Sequence, residues 1–155
     1  IMSSEEYKKA FLFLSNKCSK KEISSREALV LSAKFHLKMV EKNNLINELK
    51  KKEFINHLRY AKAFVHDKFI FYKWGKVKII HYLRQKGIEE ALINEAIEEI
   101  NQKQYLIVLK EEAQKKHLSM NTPNDFKSKQ KILKFLFQKG FETELVITEV
   151  SKIFD

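Results

Sequence analysis

Apolar residues recur every three to four positions along nearly the whole chain, which is the spacing of amphipathic helices. In the segment KIIHYLRQ, Ile79, Ile80 and Leu83 form one apolar stripe, whereas Lys78 and His81 lie on the opposite side of the same helix. The pattern predicts nine helices, at residues 4–16, 22–37, 41–51, 53–73, 75–86, 89–100, 102–118, 124–139 and 142–154.

The amino-acid composition supports an all-α protein. Only 3 glycines and 1 proline interrupt the 155 residues, while Lys, Glu, Leu, Ile and Ala dominate. So few turn residues argue against a sheet with many hairpins. Neither a GxGxxG nor a GxxxxGK[ST] motif occurs, and the sequence therefore offers no glycine-rich loop for a nucleotide phosphate.

The chain contains an internal repeat. A shift of 53 positions aligns residues 78–97 with residues 131–150, and 8 of the 20 aligned pairs are identical. Each copy has a helix, then a glycine (Gly87 or Gly140) that can take the positive φ of a helix C-terminus, and then a second helix. A longer helix precedes each copy, so the repeating unit has three helices.

The first third of the chain is interpreted as a divergent copy. Residues 45–48 repeat the sequence of residues 92–95, but no glycine stands at the turn. We expect Lys42-Asn43-Asn44 to supply the turn instead, because asparagine tolerates the left-handed conformation. The resulting three-helix repeats are predicted at residues 1–52, 53–100 and 101–155. Residues 118–128 are predicted to be an exposed connection that lets the third repeat move relative to the second.

The charge balance favours a polyanionic partner. The chain has 30 Lys and Arg against 20 Asp and Glu, a formal net charge of +10, which suits nucleic acid or an acidic protein surface. A single cysteine, Cys18, rules out an intrachain disulfide and favours a reduced, cytoplasmic setting. No secretory signal and no membrane-spanning apolar run is recognised, so we expect a soluble protein, with a monomer as the default.

Two helices carry matching polar ridges, one after Gly75 and one before Gly140. Their residues, at positions i, i+3 and i+7, are Lys78, His81 and Gln85, and Lys131, Lys134 and Gln138. Each ridge alone is typical of ordinary solvated helix surface. Because the two ridges recur in register, the pattern favours surfaces that bind phosphates or acidic side chains.

Aromatic residues crowd the middle of the chain. The group consists of Phe64, Phe69, Phe71, Tyr72 and Trp74. These rings could stack nucleic-acid bases, but their spacing favours packing between helices, and Trp74 could fix the junction between two repeats.

The sequence shows no convincing enzymatic constellation. Glu95, Glu98 and Glu99 lie at metal-binding spacing on one helix but have no nearby His or Asp partner. The 5 histidines share no HExxH spacing, and Cys18 has no placed base. We therefore expect no catalytic site, no metal and no cofactor.

Three segments carry a recognisable signature: CSKKEI at residues 18–23, FINHLRYAKAFVHDKFIFYKWGKVKIIHYLRQKGI at 54–88 and KILKFLFQKGFE at 131–142. The central segment contains RYA-x-AF-x-x-DK followed by KWG-x-x-KI-x-x-x-LR-x-KGI. Over about residues 10–150 the chain resembles the RecX family of bacterial recombination regulators. It departs from the family pattern at Asn56 and His57, where an acidic residue is common.

The resemblance implies an elongated, curved array of three tandem three-helix repeats that binds the RecA–DNA filament in its groove. It implies inhibition of RecA, affecting ATP hydrolysis, strand exchange and the coprotease activity behind the SOS response, with weaker binding to single- or double-stranded DNA. The alternative is a general DNA-binding helical protein that acts without RecA. The contacts to RecA or DNA are expected from Arg59, Lys73, Lys76, Lys78, His81, Arg84, Lys86, Lys131, Lys134 and Lys139.

Overall fold

The computed structural model describes residues 4–120 and 125–154, and all regular structure within them is helical. The helices are α1 (Glu5–Lys20), α2 (Ser25–Leu31, continued by the 3-10 helix Ser32–Lys34), α3 (Met39–Lys51), α4 (His57–Ile70), α5 (Lys76–Gln85), α6 (Glu90–Glu98), α7 (Gln102–Leu118), α8 (Phe126–Lys139) and α9 (Thr143–Phe154). They form three tandem three-helix repeats, α1–α3, α4–α6 and α7–α9, as predicted. Over the ranges described, no helix is both long and apolar enough to cross a membrane.

Polar side chains fix where the helices begin. In five helices the N-cap side chain accepts a hydrogen bond from a backbone N–H of the first turn, which would otherwise lack a partner. These N-caps are Ser4, Ser24, Asn56, Asn101 and Asp125. The cap at Asn56 explains why α4 begins later than the helix predicted from residue 53.

The two repeat glycines end their helices as predicted. Gly87 has φ +78° and Gly140 has φ +94°, both in the left-handed region. The next residue then donates its N–H back to the last turn: Ile88 to the Leu83 carbonyl, and Phe141 to the equivalent carbonyl of α8. The shared glycine of the repeat is therefore a shared helix stop.

The turn predicted at Lys42-Asn43-Asn44 is wrong. Helix α3 runs through these residues, and the chain turns earlier, after the 3-10 helix. The carboxylate of Glu41 accepts the Lys38 N–H at 3.0 Å, which sets the helix start. Because Leu45 and Leu49 are buried on one face of α3, apolar packing overrides the turn preference of asparagine.

The described parts of the segment 118–128 include the end of α7 and the start of α8, which both belong to the third repeat, so the segment does not separate two repeats. The prediction that it allows the third repeat to move relative to the second is therefore wrong. Its residues 121–124, including Pro123, lie outside the described residues. On either side of them, α7 and α8 pack against each other.

The buried apolar residues form two separate clusters. The larger cluster runs continuously through the second and third repeats, from Tyr60 in α4 to Val150 in α9. The smaller cluster lies in the first repeat and the loop that follows α3, and it includes Leu14, Leu45 and Ile55. The second and third repeats therefore share one core, whereas the first repeat has its own.

Candidate functional site

Helix α8 is the most strongly basic element. Its 14 residues include five lysines and no carboxylate: Lys127, Lys129, Lys131, Lys134 and Lys139. Ser128, Ile132 and Leu136 form the buried face, so Lys131 and Lys134 lie on the exposed side with Gln138, as the ridge predicted. Neither Lys131 nor Lys134 has an ion-pair partner within the described ranges. Their charge is free to meet an anion.

The matching ridge on α5 is only partly present. His81 and Gln85 are exposed, but Lys78 is half-buried, with its Nζ 4.2 Å from the centroid of the Trp74 ring. Burial, followed by the nearby charges of Lys139 and Lys68, lowers the pKa of Lys78. Lys78 is therefore less exposed than the predicted ridge requires, because the Gly140 turn packs directly against its backbone.

A cluster of lysines and aromatic rings lies beside Lys78. The Nζ of Lys68 is 4.4 Å from the ring centroid of Tyr72 and 5.0 Å from that of Trp74. The negative faces of these two rings attract the ammonium group of Lys68 at such distances. Core packing explains Phe69, which is buried, whereas Phe71 and Tyr72 are 70% and 56% exposed. Phe64 and Trp74 are partly buried against the same core, so Phe71 and Tyr72 are the two rings of this group most open to base stacking.

Two of the predicted binding residues belong to the junction of the second and third repeats. Lys139 pairs with the buried Glu112 at 3.4 Å and donates to the Tyr72 carbonyl at 2.6 Å. Lys76 donates to the Gln102 side chain at 2.8 Å, and its backbone N–H donates to the Tyr105 hydroxyl. These contacts join α5 to α7, and the end of α8 to α7 and to the loop between α4 and α5, so both lysines stabilise the fold.

The same junction brings backbone against backbone. The Gly75 N–H donates to the Lys139 carbonyl at 2.7 Å, and the Val77 N–H donates to the Gly140 carbonyl at 2.9 Å. Carbonyl groups at the C-terminus of α8 thus accept hydrogen bonds from N–H groups at the start of α5, which have no partner within their own helix. A close approach of this kind requires a residue without a side chain at position 75.

Arg59 lies at the junction of the first and second repeats. Its Nε donates to Glu22 at 2.6 Å, and its guanidinium also reaches the carbonyls of Glu53 and Phe54. The hydrogen bond to Glu22 raises the pKa of Arg59. Arg59 is therefore a structural anchor, although its side chain remains partly exposed.

Polar contacts make up much of this first junction. The Tyr60 hydroxyl donates to Glu27 at 3.0 Å, and the buried His57 accepts the Ser25 N–H on Nε2 at 3.0 Å. The proton of His57 therefore sits on Nδ1, which donates to Glu89 at 2.9 Å. Partial burial acts to raise the pKa of Glu89, but this hydrogen bond leaves it lowered.

The remaining predicted residues are spread over the surface. Arg84 pairs with Glu90 on the exposed face where α5 meets α6. Lys73 has a left-handed backbone (φ +58°) just after α4, and Lys86 caps the end of α5. The structure thus does not bring the ten residues into one site. It leaves Lys131 and Lys134 exposed together on α8 and places Arg59, Lys76, Lys78 and Lys139 at junctions.

The three glutamates of α6 and its C-cap do not form a metal site. Glu95, Glu98 and Glu99 are exposed, and Glu99 lies 3.7 Å from Lys62. Within residues 4–120 and 125–154, no three His, Cys, Asp or Glu side chains come together as metal ligands.

Sequence reasoning missed two junction residues. Tyr105 is fully buried, donates to Glu142 and accepts from the α5 backbone, while Arg26 donates to the Gln85 carbonyl at 2.7 Å. Burial and the hydrogen bond to Glu142 raise the pKa of Tyr105. Tyr60 and Tyr105 occupy the same position relative to the starts of α4 and α7, and this recurrence in the sequence could have marked Tyr105 as a structural residue. Nothing local marks Arg26, because its partner is 59 positions away.

Comparison with known protein families assigns two of the repeats. Residues 56–97 match the model described as "RecX, second three-helix domain", and residues 102–147 match "RecX, third three-helix domain". Together these segments cover more than half of the chain.

Curated relatives point the same way. The chain is 31% identical over 140 residues to "Regulatory protein RecX" of Finegoldia magna, covering 86% of this chain and 64% of the relative. It is 28% identical over 124 residues to the protein of the same name from Clostridium acetobutylicum, covering 77% of this chain and 56% of the relative. The chain thus spans between half and two thirds of the length of these relatives.

Solved structures share the fold. The structure described as "Crystal structure of RecX from Lactobacillus salivarius" superposes with a TM-score of 0.84 at 19% identity, covering 96% of this chain and 97% of that one. A second, "Crystal structure of regulatory protein RecX", gives a TM-score of 0.81 at 21% identity, covering 91% and 70%. With both matched segments in order and the tandem repeats in common, the chain belongs to the RecX family.

Proposed function

We propose that this protein is a non-enzymatic, cytoplasmic regulator of recombination and DNA repair that binds the RecA–DNA filament and inhibits RecA. The inhibition covers ATP hydrolysis, strand exchange and the coprotease activity of the SOS response. The protein acts as a monomer and binds bare DNA more weakly. Its membership of a family whose relatives are named regulatory proteins supports a regulatory role.

The observation that carries this proposal is the unpaired charge of α8. Lys131 and Lys134 are exposed and lack ion-pair partners among the described residues, on a helix without any carboxylate. Exposed lysines without partners gain most from a polyanion, because nothing within the protein must be given up when the contact forms. A filament of protein and DNA offers both acidic side chains and phosphates.

Tandem repeats suit a filament partner. A repeat array presents similar surfaces at regular intervals, and a filament presents similar protomers at regular intervals. Once one repeat is bound, the others act at a high effective concentration, so modest individual contacts add up.

The test follows ATP hydrolysis by preformed RecA filaments on single-stranded DNA. We expect added protein to slow hydrolysis, and Lys131→Glu with Lys134→Glu to raise the half-inhibitory concentration by about tenfold or more, which corresponds to ~1.4 kcal/mol. Unchanged hydrolysis at a stoichiometric excess of the unaltered protein would refute the proposal.

The matched control reverses two exposed lysines elsewhere. Lys50 and Lys51 end α3 in the first repeat, and changing both to Glu alters the net charge by the same amount. We expect this variant to inhibit nearly as well as the unaltered protein. Equal weakening by both double variants would mean that net charge acts, and not the α8 surface.

The second candidate is a general DNA-binding module that acts without RecA. The exposed rings of Phe71 and Tyr72 beside Lys68 favour it, since aromatic rings next to lysines bind single strands. It predicts tight binding to a bare oligonucleotide with a steep dependence on salt, lost in Tyr72→Ala, together with no effect on RecA. Weak oligonucleotide binding combined with strong inhibition of RecA would exclude it.

A further inference from the structure

A cleft of about 470 Å³ lies where the first repeat meets the end of α5. Its apolar floor consists of Ile23, Val30 and Leu31. Val30 is 73% exposed, so it presents most of its apolar side chain to anything that enters the cleft. The volume falls in the range of about 300–1,000 Å³ that is typical of ligand-binding clefts.

The rim of the cleft is basic. Four cationic side chains line it: Lys17, Lys21, Arg26 and Lys86. Arg26 is held in place by its hydrogen bond across the cleft to the Gln85 carbonyl. Lys21 and Lys86 have no carboxylate within ion-pair distance in the described part of the chain.

One carboxylate, Glu27, also borders the cleft, but it is already engaged. It accepts the Tyr60 hydroxyl at 3.0 Å and lies near the Ser24 hydroxyl. It therefore serves the junction of the first two repeats. Its two hydroxyl partners carry no charge, so Glu27 offsets one of the four cations of the rim, and the lining stays net positive.

We propose that this cleft binds an acidic segment of a protein partner, and that one apolar side chain of that segment packs against Val30 on the floor of the cleft. Carboxylates on either side of the apolar residue meet the rim at Lys21 and Lys86. The charges are complementary, and the floor offers apolar area of the kind that anchors a peptide side chain.

The lining argues for a peptide and against nucleic acid. Grooves that bind single strands combine positive charge with aromatic rings on which bases stack, and the residues lining this cleft include no aromatic ring. The cleft also lies on a different repeat from Lys131 and Lys134. The inference therefore does not depend on the RecA hypothesis, and direct peptide binding tests it separately.

The experiment uses fluorescence anisotropy with a labelled short peptide that has one central Leu flanked by Glu on both sides. Two comparison peptides change one property each, with Gln replacing every Glu or Ala replacing the Leu. We expect the acidic Leu peptide to bind at least about tenfold more tightly than either comparison peptide. Equal binding of all three peptides would overturn the proposal.

The variants separate the cleft from the rest of the surface. Val30→Glu places a carboxylate on the floor, whereas Val40→Glu makes the same change at a valine of α3 that is 69% exposed. We expect Val30→Glu to weaken binding by about tenfold or more and Val40→Glu to leave it unchanged. Lys86→Glu, on the rim, should reproduce the loss without touching the floor.

Two further outcomes decide against the proposal. If Val30→Glu and Val40→Glu bind the peptide equally, the cleft is not the site. If a single-stranded oligothymidylate displaces the acidic peptide from the unaltered protein, and Val30→Glu weakens the oligonucleotide equally, the occupant is nucleic acid. Circular dichroism of each variant establishes that the helices remain formed.

Discussion

Replacing Gly75 by alanine tests the backbone contact between the second and third repeats. A Cβ at position 75 would lie 2.3 Å from the carbonyl carbon and oxygen of Gly140 and 2.4 Å from the Phe141 nitrogen. All three are backbone atoms, so no side-chain rotation relieves the clash. Gly75 has φ −78°, which alanine adopts readily. The cost of the substitution is therefore steric.

The size of the effect follows from the contact itself. Two hydrogen bonds cross it, from Gly75 to Lys139 and from Val77 to Gly140. Moving the repeats apart weakens both, at about 0.5–1.5 kcal/mol each, and overpacking adds about 1–3 kcal/mol. We expect Gly75→Ala to lower the free energy of unfolding by about 2–6 kcal/mol, a large part of the ~5–15 kcal/mol typical of a native protein.

Urea unfolding measures this loss. Trp74 is the only tryptophan, and it adjoins the contact, so its fluorescence reports on the junction directly. Far-UV circular dichroism recorded on the same samples shows whether the helices melt in the same transition.

The control is Gly87→Ala. Gly87 has φ +78°, and the three atoms nearest to a Cβ added there, at 3.0–3.4 Å, all belong to the Arg26 side chain, which can shift where backbone cannot. The free energy of unfolding should fall by about 1–2 kcal/mol, which is the cost of holding alanine in the left-handed conformation. Gly75→Ala should thus be the more damaging change, despite the ordinary backbone angle at Gly75. A loss at Gly75 below about 0.5 kcal/mol, or below that at Gly87, would refute the reasoning.

Two other residues give independent predictions. Arg59→Ala should lower the free energy of unfolding by about 1–2 kcal/mol in urea, since partly exposed bonds to Glu22 and to two backbone carbonyls are lost; an unchanged urea midpoint would contradict its role as an anchor. Burial, followed by the hydrogen bond to Glu48, raises the pKa of Tyr7 to about 12 from its ordinary 10.0. The folded-state pKa is the higher one, so this stabilisation is complete below pH 10.0 and is lost as the pH rises towards about 12. Tyr7→Phe should therefore reduce the loss of stability between about pH 10 and pH 12, and an equal loss in both proteins would exclude this origin.

The helices and the repeat were predictable because their signals are local. The apolar stripe of α5 specifies which face is buried, and both Ile79 and Leu83 are buried. Gly87 and Gly140 were recognisable as helix stops because their positive φ angles suit no other residue as well. Glu89 and Glu142 each stand just before a helix start, and each also binds a side chain of the first helix in its repeat.

The junctions were not predictable, since they depend on residues far apart in the chain. Lys78 and Lys131 occupy equivalent repeat positions, yet only Lys78 has another repeat packed beside it. Arg59 and Lys139 look like surface cations in sequence, and their partners Glu22 and Glu112 are recognisable only once the helices are packed. A repeat pattern specifies the unit, whereas contacts between units decide which cations remain free.

Because the two cores are separate, we expect the first repeat to open before the other two. Separating the second repeat from the third exposes a continuous apolar interior, whereas separating the first repeat from the second breaks mainly contacts that water can replace, such as those of Tyr60 and Arg59. We expect amide hydrogens around Leu14 and Leu45 to exchange at a lower opening free energy than those around Leu109 and Ile132. The first repeat would then rotate as a unit relative to the second and third repeats. It could adjust its orientation to a bound partner while the other two repeats stay folded.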